Sequence, residues 1–271
     1  MRGLLRQSTK HQVALLLCVL VFTGCVEQPE KKAQPEAAQQ LLKLRGYEFD
    51  EKSFHTAVAA RDMLAITAFL DAGINPNAQN PTDGRTPLIA AAVHGDVDVV
   101  KLLLQRGVDV NLKDQQGDTA LFRAIEMRNE EVALVILDQP KLDLNARGLN
   151  GVTALMSYAW RDDNDVVRKL LDRGAEVNLQ DNDGDAALHG VAKSGNVELL
   201  DLLLDKGANP NLTNKVGGTP LMWAAVFGHE AAAQRLLARG ADATLKDAEG
   251  KTALDWARKN NREAVVRLLT R

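Results

Sequence analysis

Between Gly84 and Gln116 the chain reads GRTPLIAAAVHGDVDVVKLLLQRGVDVNLKDQQ, two short apolar stripes separated by glycine-marked polar turns. Thr86 places a hydroxyl at a helix N-cap, and Pro87 takes the first helical position, where a missing N–H costs nothing. Leu88, Ala91 and Ala92 then recur at helical spacing, and the alanines let a neighbouring helix approach closely. Gly95 breaks the run. Val99, Val100, Leu103 and Leu104 form a second stripe at i, i+1, i+4 and i+5, one apolar face of a second helix. Gly107 suits the left-handed residue after that helix, and Asn111 with the Asp114 to Gly117 segment carries turn chemistry for a hairpin-like connection.

The same pattern restarts at Thr119, Thr153, Ala186, Thr219 and Thr252, and a weaker first copy starts at Ser53. Seven units thus cover Glu51 to Arg271 with a period of about 33 residues, the spacing of a β-turn plus two helices. A single unit cannot bury both its stripes, so stacking must do it, and the expected architecture is an all-α solenoid held by contacts between neighbours. The succession T-P-L-x-x-A-A, a glycine, a Val/Leu-rich run and G-A-x-x-N resembles the ankyrin repeat throughout this span.

Several copies depart from the pattern. Ala186 replaces the capping threonine, Pro140-Lys141 replaces the post-helix glycine, Gly148 stands where an aspartate is usual, and Thr244 replaces the hairpin Asn. Looser local structure is expected at the first three. Arg258, Arg262, Arg267 and Arg271 make the outer surface of the last copy polar, as a terminal cap requires.

Upstream of the array the pattern is different. Arg2, Arg6 and Lys10 precede ten apolar residues, Val13 to Phe22, and a small-residue site ahead of Cys25, the layout of a secretory signal. Ten residues are too few to span a bilayer, which needs about 20. Phe22-Thr23-Gly24-Cys25 resembles the lipobox of bacterial lipoproteins, which implies cleavage before Cys25 and acylation of it. A cleaved soluble signal and an uncleaved anchor are the alternatives. Val26, in place of an aspartate after the cysteine, implies by the same resemblance the outer membrane, periplasmic face, of a Gram-negative cell. The organisation expected is a lipoprotein signal over 1–24, a lipidated Cys25 with a disordered tether over 25–40, and a repeat domain over 41–271 whose residues 41–50 cap it. Val26 to Gln40 is Gln-, Glu-, Pro- and Ala-rich without apolar periodicity, and Leu41, Leu42, Leu44, Tyr47 and Phe49 are expected to form a short helix and turn over the first repeat.

Composition narrows the chemistry. Cys18 leaves with the signal and Cys25 carries lipid, so the mature array has no thiol for disulfides, catalysis or zinc. The chain carries 33 Lys+Arg against 36 Asp+Glu; losing Arg2, Arg6 and Lys10 leaves 30 against 36, a net charge of −6 that argues against a general nucleic-acid surface. No G-x-S-x-G, P-loop or H-E-x-x-H spacing occurs. His55, His189, His94 and His229 fit structural roles in and around the first helices. Asp162, Asp163 and Asp165 read as residues entering a second helix. Asp181, Asp183 and Asp185 lack the glycine and glutamate of a calcium loop. No catalytic residue, cofactor or metal is expected.

In the ankyrin family the hairpin tips and the first-helix residues around the alanine pair line a concave groove. That resemblance implies a partner-binding set here of Val93, His94, Met127, Trp160, Arg161, Val226 and Phe227 after the alanines, Trp223 before them, and Arg85 and Leu149 at tips. Trp160, Arg161, Met127 and Phe227 stand out because a solvated groove has no need of large apolar or planar groups. The structural alternative for Trp223 and Trp256 is that they pack on each other and on flanking chains. The expected function is a non-enzymatic, lipid-tethered, monomeric protein-binding module. An immunity protein neutralising a periplasm-delivered toxin, such as a phospholipase effector, is the alternative, and a hydrolase is a remote third.

Overall fold

The computed structural model describes residues 35–270. A leading helix α1 (Pro35–Leu44) is followed by seven helix pairs. In chain order these are α2 (Glu51–Ala59) with α3 (Met63–Asp71), α4 (Pro87–His94) with α5 (Val97–Gln105), α6 (Ala120–Glu126) with α7 (Glu130–Leu137), and α8 (Ala154–Ala159) with α9 (Asn164–Asp172). Then come α10 (Ala187–Ser194) with α11 (Val197–Asp205), α12 (Pro220–Phe227) with α13 (Glu230–Ala238), and α14 (Ala253–Lys259) with α15 (Glu263–Leu269). The first helices of successive pairs pack on one another as an inner layer, and the second helices lie behind them. No strand occurs among the described residues.

The alanine pairs set this layering. Ala91, Ala92, Ala159, Ala192, Ala224, Ala225 and Ala257 are all fully buried at the contact between inner helices, where any larger side chain would force the layers apart. Leu103, Ile136, Leu170, Leu203 and Leu236 fill the space between inner and outer helices, each worth about 1.5–3 kcal/mol of burial. Threonine caps start the inner helices: the Oγ1 atoms of Thr86, Thr153, Thr219 and Thr252 accept from the backbone N–H three residues on, at 3.2–3.3 Å.

Side-chain ladders tie unit to unit. The asparagine of each G-A-x-x-N turn accepts from a backbone N–H of the next unit: Asn77 from Asp109, Asn111 from Asp143, Asn145 from Glu176, Asn178 from Asn209 and Asn211 from Asp242, all at 2.7–2.9 Å. In the sixth copy Thr244 stands in the asparagine's place and bonds back to Asp242 instead.

The N-terminal end corrects the expected tether. Helix α1 begins at Pro35, inside the stretch read as disordered to Gln40, and buries Ala38 and Leu42 against α3. Proline at the first helical position, Glu36 in the first turn and the good helix formers Ala37, Ala38, Gln39 and Gln40 explain the early start. The apolar face is only two residues deep, too weak a signal for periodicity to register. Leu42 is fully buried, whereas Leu41 and Leu44 stay exposed; Tyr47 and Phe49 pack on Phe69 with ring centroids 6.0 and 6.2 Å away. The expected signal, Cys25 and residues 26–34 lie outside the described residues.

Candidate partner-binding groove

The tips between units are held by one repeated device. Asp114, Asp181, Asn214 and Asp247 each accept two backbone N–H bonds of their own turn through Oδ1, at 2.8–3.2 Å. The Asp181 to Asp185 cluster is thus a backbone support. Successive tips are then joined main chain to main chain, Lys215 N–H to Asp183 O at 2.8 Å and Ala248 N–H to Val216 O at 2.9 Å. Between the third and fourth units the aspartate Oδ1 of Asp118 substitutes, accepting from Leu149 N–H at 2.9 Å. Glycine at 148 is required there, because a Cβ would fall 2.5 Å from the Phe122 ring.

Two further departures have local answers. Ala186 offers no capping oxygen, and its own N–H donates to Nδ1 of His189 at 3.0 Å. With Nδ1 accepting, Nε2 carries the proton and faces the carbonyls of Leu212 and Gly218 at 3.1 and 3.3 Å. Burial holds the His189 pKa below its ordinary value, against the pull of Asp185 and those carbonyls. At the inter-helix turns Gly95, Gly195 and Gly228 take left-handed φ of 73–81°. Where the glycine is absent, Arg61, Arg128, Asp162 and Asn261 take that conformation at φ of 56–58°, a backbone in which Asp and Asn are several-fold enriched.

The inner-helix face carries a run of indoles. Trp160, at the end of α8, lies across the next unit: a Cβ on Gly190 would sit 1.8 Å from its Cδ1. A glycine in the middle of α10 therefore makes the space this indole occupies. Trp160, Asp185, His189, Gly190, Lys193, Ser194, Trp223 and Phe227 together enclose a cleft of about 420 Å³. Trp223 stacks on Phe227 at 6.1 Å and 23°, and the Lys193 ammonium stands 5.6 Å from the Trp223 ring and 5.7 Å from Phe227. The other side of Trp223 borders a second cleft of about 380 Å³, with Val216, Met222, Val226, Ala248 and Trp256 as its apolar walls.

Of the packing alternative, the contacts with flanking side chains are present and the ring pair is not: Trp223 stacks on Phe227 and not on Trp256. Trp256 instead donates its Nε1–H to Asp247 Oδ2 at 2.7 Å and lies beneath two ammonium groups, Lys259 at 4.3 Å and Lys251 at 4.7 Å from the ring centre. Burial by itself would raise the Asp247 pKa; the hydrogen bonds from Lys251 N–H, Trp256 and Glu249 N–H outweigh it and hold the carboxyl below its usual range. The Nε1 atoms of Trp160 and Trp223 are buried without a partner.

The expected residues therefore divide. Trp160, Trp223 and Phe227 share one cleft and Val226 lines the next. Arg161 turns away from Trp160: its guanidinium covers the Tyr158 ring at 5.5 Å, reaches Glu130 Oε2 at 3.4 Å, and borders a polar depression with Asp162, Asp163, Asn164, Asp165 and Glu198. Met127 is exposed at the end of α6, Leu149 is exposed on a 3-10 turn, and Val93 is half-buried. His94 is exposed and receives Arg61 Nη2–H on its carbonyl, while Arg85 pairs with Asp83 at 3.5 Å. None of these five lines either aromatic cleft.

Arg123 occupies the same register as Trp223 and Trp256 but faces inward. It contacts Asp114 at 2.6 Å, Glu126 at 2.8 Å and Asp118 at 3.3 Å, and donates to Gln116. Burial pulls its pKa down, and the Asp114 and Glu126 hydrogen bonds more than compensate. Periodicity places a residue on this face but does not reveal whether it points along it or into its own turn. The roles of Gly190 and Lys193 escape a reading made one unit at a time, since Gly190 answers to Trp160 from the unit before and Lys193 to Trp223 and Phe227 from the unit after. A glycine inside a helix, one period after an unexplained tryptophan, is the signal that could have found them.

Comparison with known proteins places this arrangement. The family model for ankyrin repeats (three copies) matches residues 31–148, 136–214, 155–247 and 188–271. An ankyrin repeat-containing protein of Treponema pallidum is 33% identical over 165 residues, 60% of this chain; the chain spans about half, 54%, of that relative's length. Among solved structures, an ankyrin repeat domain from Acinetobacter baumannii is similar at 28% identity and TM-score 0.62, over 68% of this chain and 96% of that one. The ankyrin repeat domain of Bcl-3, an IκB-family protein, is similar at 29% identity and TM-score 0.64, over 79% and 97%. The chain belongs to the ankyrin repeat family and is, on that ground, a protein-interaction module.

Proposed function

We propose that this chain is a non-enzymatic, partner-binding protein of the bacterial envelope. In this reading it takes a partner protein along the inner-helix face between Trp160 and Trp256 while lipid on Cys25 holds it at the periplasmic side of the outer membrane. The observation that supports the binding half is the pair of clefts on either side of Trp223. Neither cleft is filled by the chain's own side chains, and Phe227 remains 39% exposed. Aromatic walls around such recesses are where interface energy concentrates, with about 2 kcal/mol or more for a single anchor. The anchor half is supported by the lipobox-like run ending at Cys25; two or three acyl chains hold a protein on a membrane where one does so only marginally.

The binding half is tested by replacing Trp160 and Phe227 with alanine and measuring affinity for the partner identified by capture with the native chain. A loss of about 30-fold or more is expected from one anchor's worth of energy; unchanged affinity rejects this face. The anchor is tested by feeding cells an alkyne fatty acid. Label on the native chain and none on Cys25→Ser is expected, and an unlabelled native chain rejects the anchor.

A further inference from the structure

The leading helix has a second apolar side. Ala38 and Leu42 are buried, while Ala37, Leu41 and Leu44, at i, i+4 and i+7 on one face of the same helix, are exposed. The ion pair of Arg45 with Asp62, at 2.7 Å, ties the end of α1 to the N-cap of α3, and directly after that cap Met63 and Leu64 are exposed as well. With Phe49, five of the nine exposed large apolar side chains among the described residues fall between positions 41 and 64.

Leu64 breaks the rule that its own position follows. The second residue of an outer helix is Asp98, Glu131, Asp165 or Glu198 in the second to fifth units and Ala231 or Ala264 in the last two. The four carboxylates all face solvent, so this edge of the array is otherwise built to meet water. In the first unit the same place holds a leucine that is 61% exposed, and Leu44, across the Arg45–Asp62 pair, is 80% exposed. A lone surface leucine is ordinary. A group of them, one standing where later units carry charge, is an apolar patch that the chain itself leaves uncovered.

Resting on the anchor reading above, we infer that the membrane covers this patch: the first unit seats Leu44, Met63 and Leu64 in the bilayer interface, and the array is oriented from that end. Only residues 26–34 separate Cys25 from the start of α1, a stretch that spans at most about 36 Å even when fully extended. Lipid on Cys25 therefore keeps this end beside the bilayer, while five further layers of roughly 8–10 Å set Trp223 roughly 40–50 Å along the array. No described helix is long and apolar enough to cross a membrane, so the contact is an interfacial one. A second copy of the chain is the competing cover. Stable dimers engage about 20–30 residues a side, and five apolar side chains fall well short of that. A membrane that already holds the chain by its lipid needs only enough apolar surface to set the orientation, because the tether supplies the local concentration. From Pro35 to Leu64 five carboxylates stand against four Lys and Arg, so the contact is apolar and does not call for anionic lipid.

After Cys25 the chain has no further cysteine, so an environment-sensitive dye on one introduced thiol reports a single position. The test places the lipid-modified full chain in phosphatidylcholine vesicles, with the dye on Leu44→Cys, on Leu64→Cys or, as the water-facing control, on Asp98→Cys. Dyes at 44 and 64 are expected to shift to the blue on vesicles. Bromine near the headgroups is expected to quench them more than bromine at the chain ends, because an interfacial face enters only about 5–10 Å. The dye at 98 is expected to do neither, and added salt to change nothing. Leu44→Gln/Leu64→Asp, which gives position 64 the residue type of later units, is expected to abolish the quenching of a dye on Leu41→Cys. If the native chain takes up the alkyne fatty acid and floats with vesicles while 44 and 64 stay as water-exposed as 98, the anchor survives and this inference fails. It fails too if the dyes shift to the blue on a Cys25→Ser chain without vesicles, the mark of a second copy, or if quenching requires anionic lipid. A native chain that takes up no fatty acid removes the anchor and this inference together.

Discussion

Arg123→Met keeps the length and apolar stem of the side chain and removes the cation from the third unit. Asp114 and Asp118 then remain in place with side chains 1% and 6% exposed and no counter-charge. Stripping one partner from a buried ion pair costs about 3–5 kcal/mol. The Glu126 arm is 47% exposed and adds nothing to that figure after solvent screening. We expect a loss of about 3 kcal/mol at neutral pH, which at a urea m-value of about 2 kcal/mol/M moves the midpoint by roughly 1.5 M. Burial already raises the Asp118 pKa against the pull of Arg123, and without the arginine it rises further. A carboxyl whose folded pKa is raised stabilises the fold below its unfolded pKa and ceases to as pH climbs through the folded value. The deficit is therefore expected to be largest at neutrality and to shrink on acidification toward the ordinary aspartate range, about 3.9. Urea unfolding followed by circular dichroism at several pH values measures both. A deficit under about 1 kcal/mol, or one that ignores pH, refutes the claim that this buried arginine holds its turn. Adding Asp114→Asn and Asp118→Asn to the variant is expected to return most of the loss, because the uncompensated charges go with them.

Gly190→Ala gains about 1 kcal/mol of helix propensity but drives a methyl into the Trp160 indole; stability within about 1 kcal/mol of native with a red-shifted tryptophan emission is expected, and unchanged emission contradicts the packing described. Ala186→Thr restores the missing cap and is expected to add about 1 kcal/mol, read as a higher urea midpoint; a lower midpoint shows that the His189 arrangement excludes it. Because the folded pKa of His189 is depressed, the unfolded chain binds more protons as pH falls below the ordinary histidine value of 6.5, and stability is expected to decline there. His189→Gln is expected to flatten that decline, and NMR titration of the ring above 6.5 contradicts it.

The fold was legible because its local signals recur: a capping threonine starts five of the seven inner helices, and small residues on the inner helix followed by an apolar stripe return from unit to unit. Its edge was less legible, since α1 docks through Ala38 and Leu42 alone. The groove was legible as a register but not as a site. Trp160 and Arg161 are adjacent in sequence, yet the helix ends between them and sends one across Gly190 and the other over Tyr158. Arg123 and Trp223 occupy equivalent positions, and what separates them is the local turn: Asp114, Asp118 and Glu126 capture the arginine, whereas Asn214, Gly218 and Val226 stand at the matching places around Trp223. Such differences are decided by contacts between units, which a pattern read within one unit does not contain.

The central claim is that partners engage the inner-helix face of the sixth unit and not its outer helix. A photoreactive amino acid placed in cells at Phe227, on the cleft, or at Gln234, exposed on α13, addresses it directly. Crosslinked partner from position 227 and none from 234 is the predicted result; crosslinking from 234 alone contradicts the account.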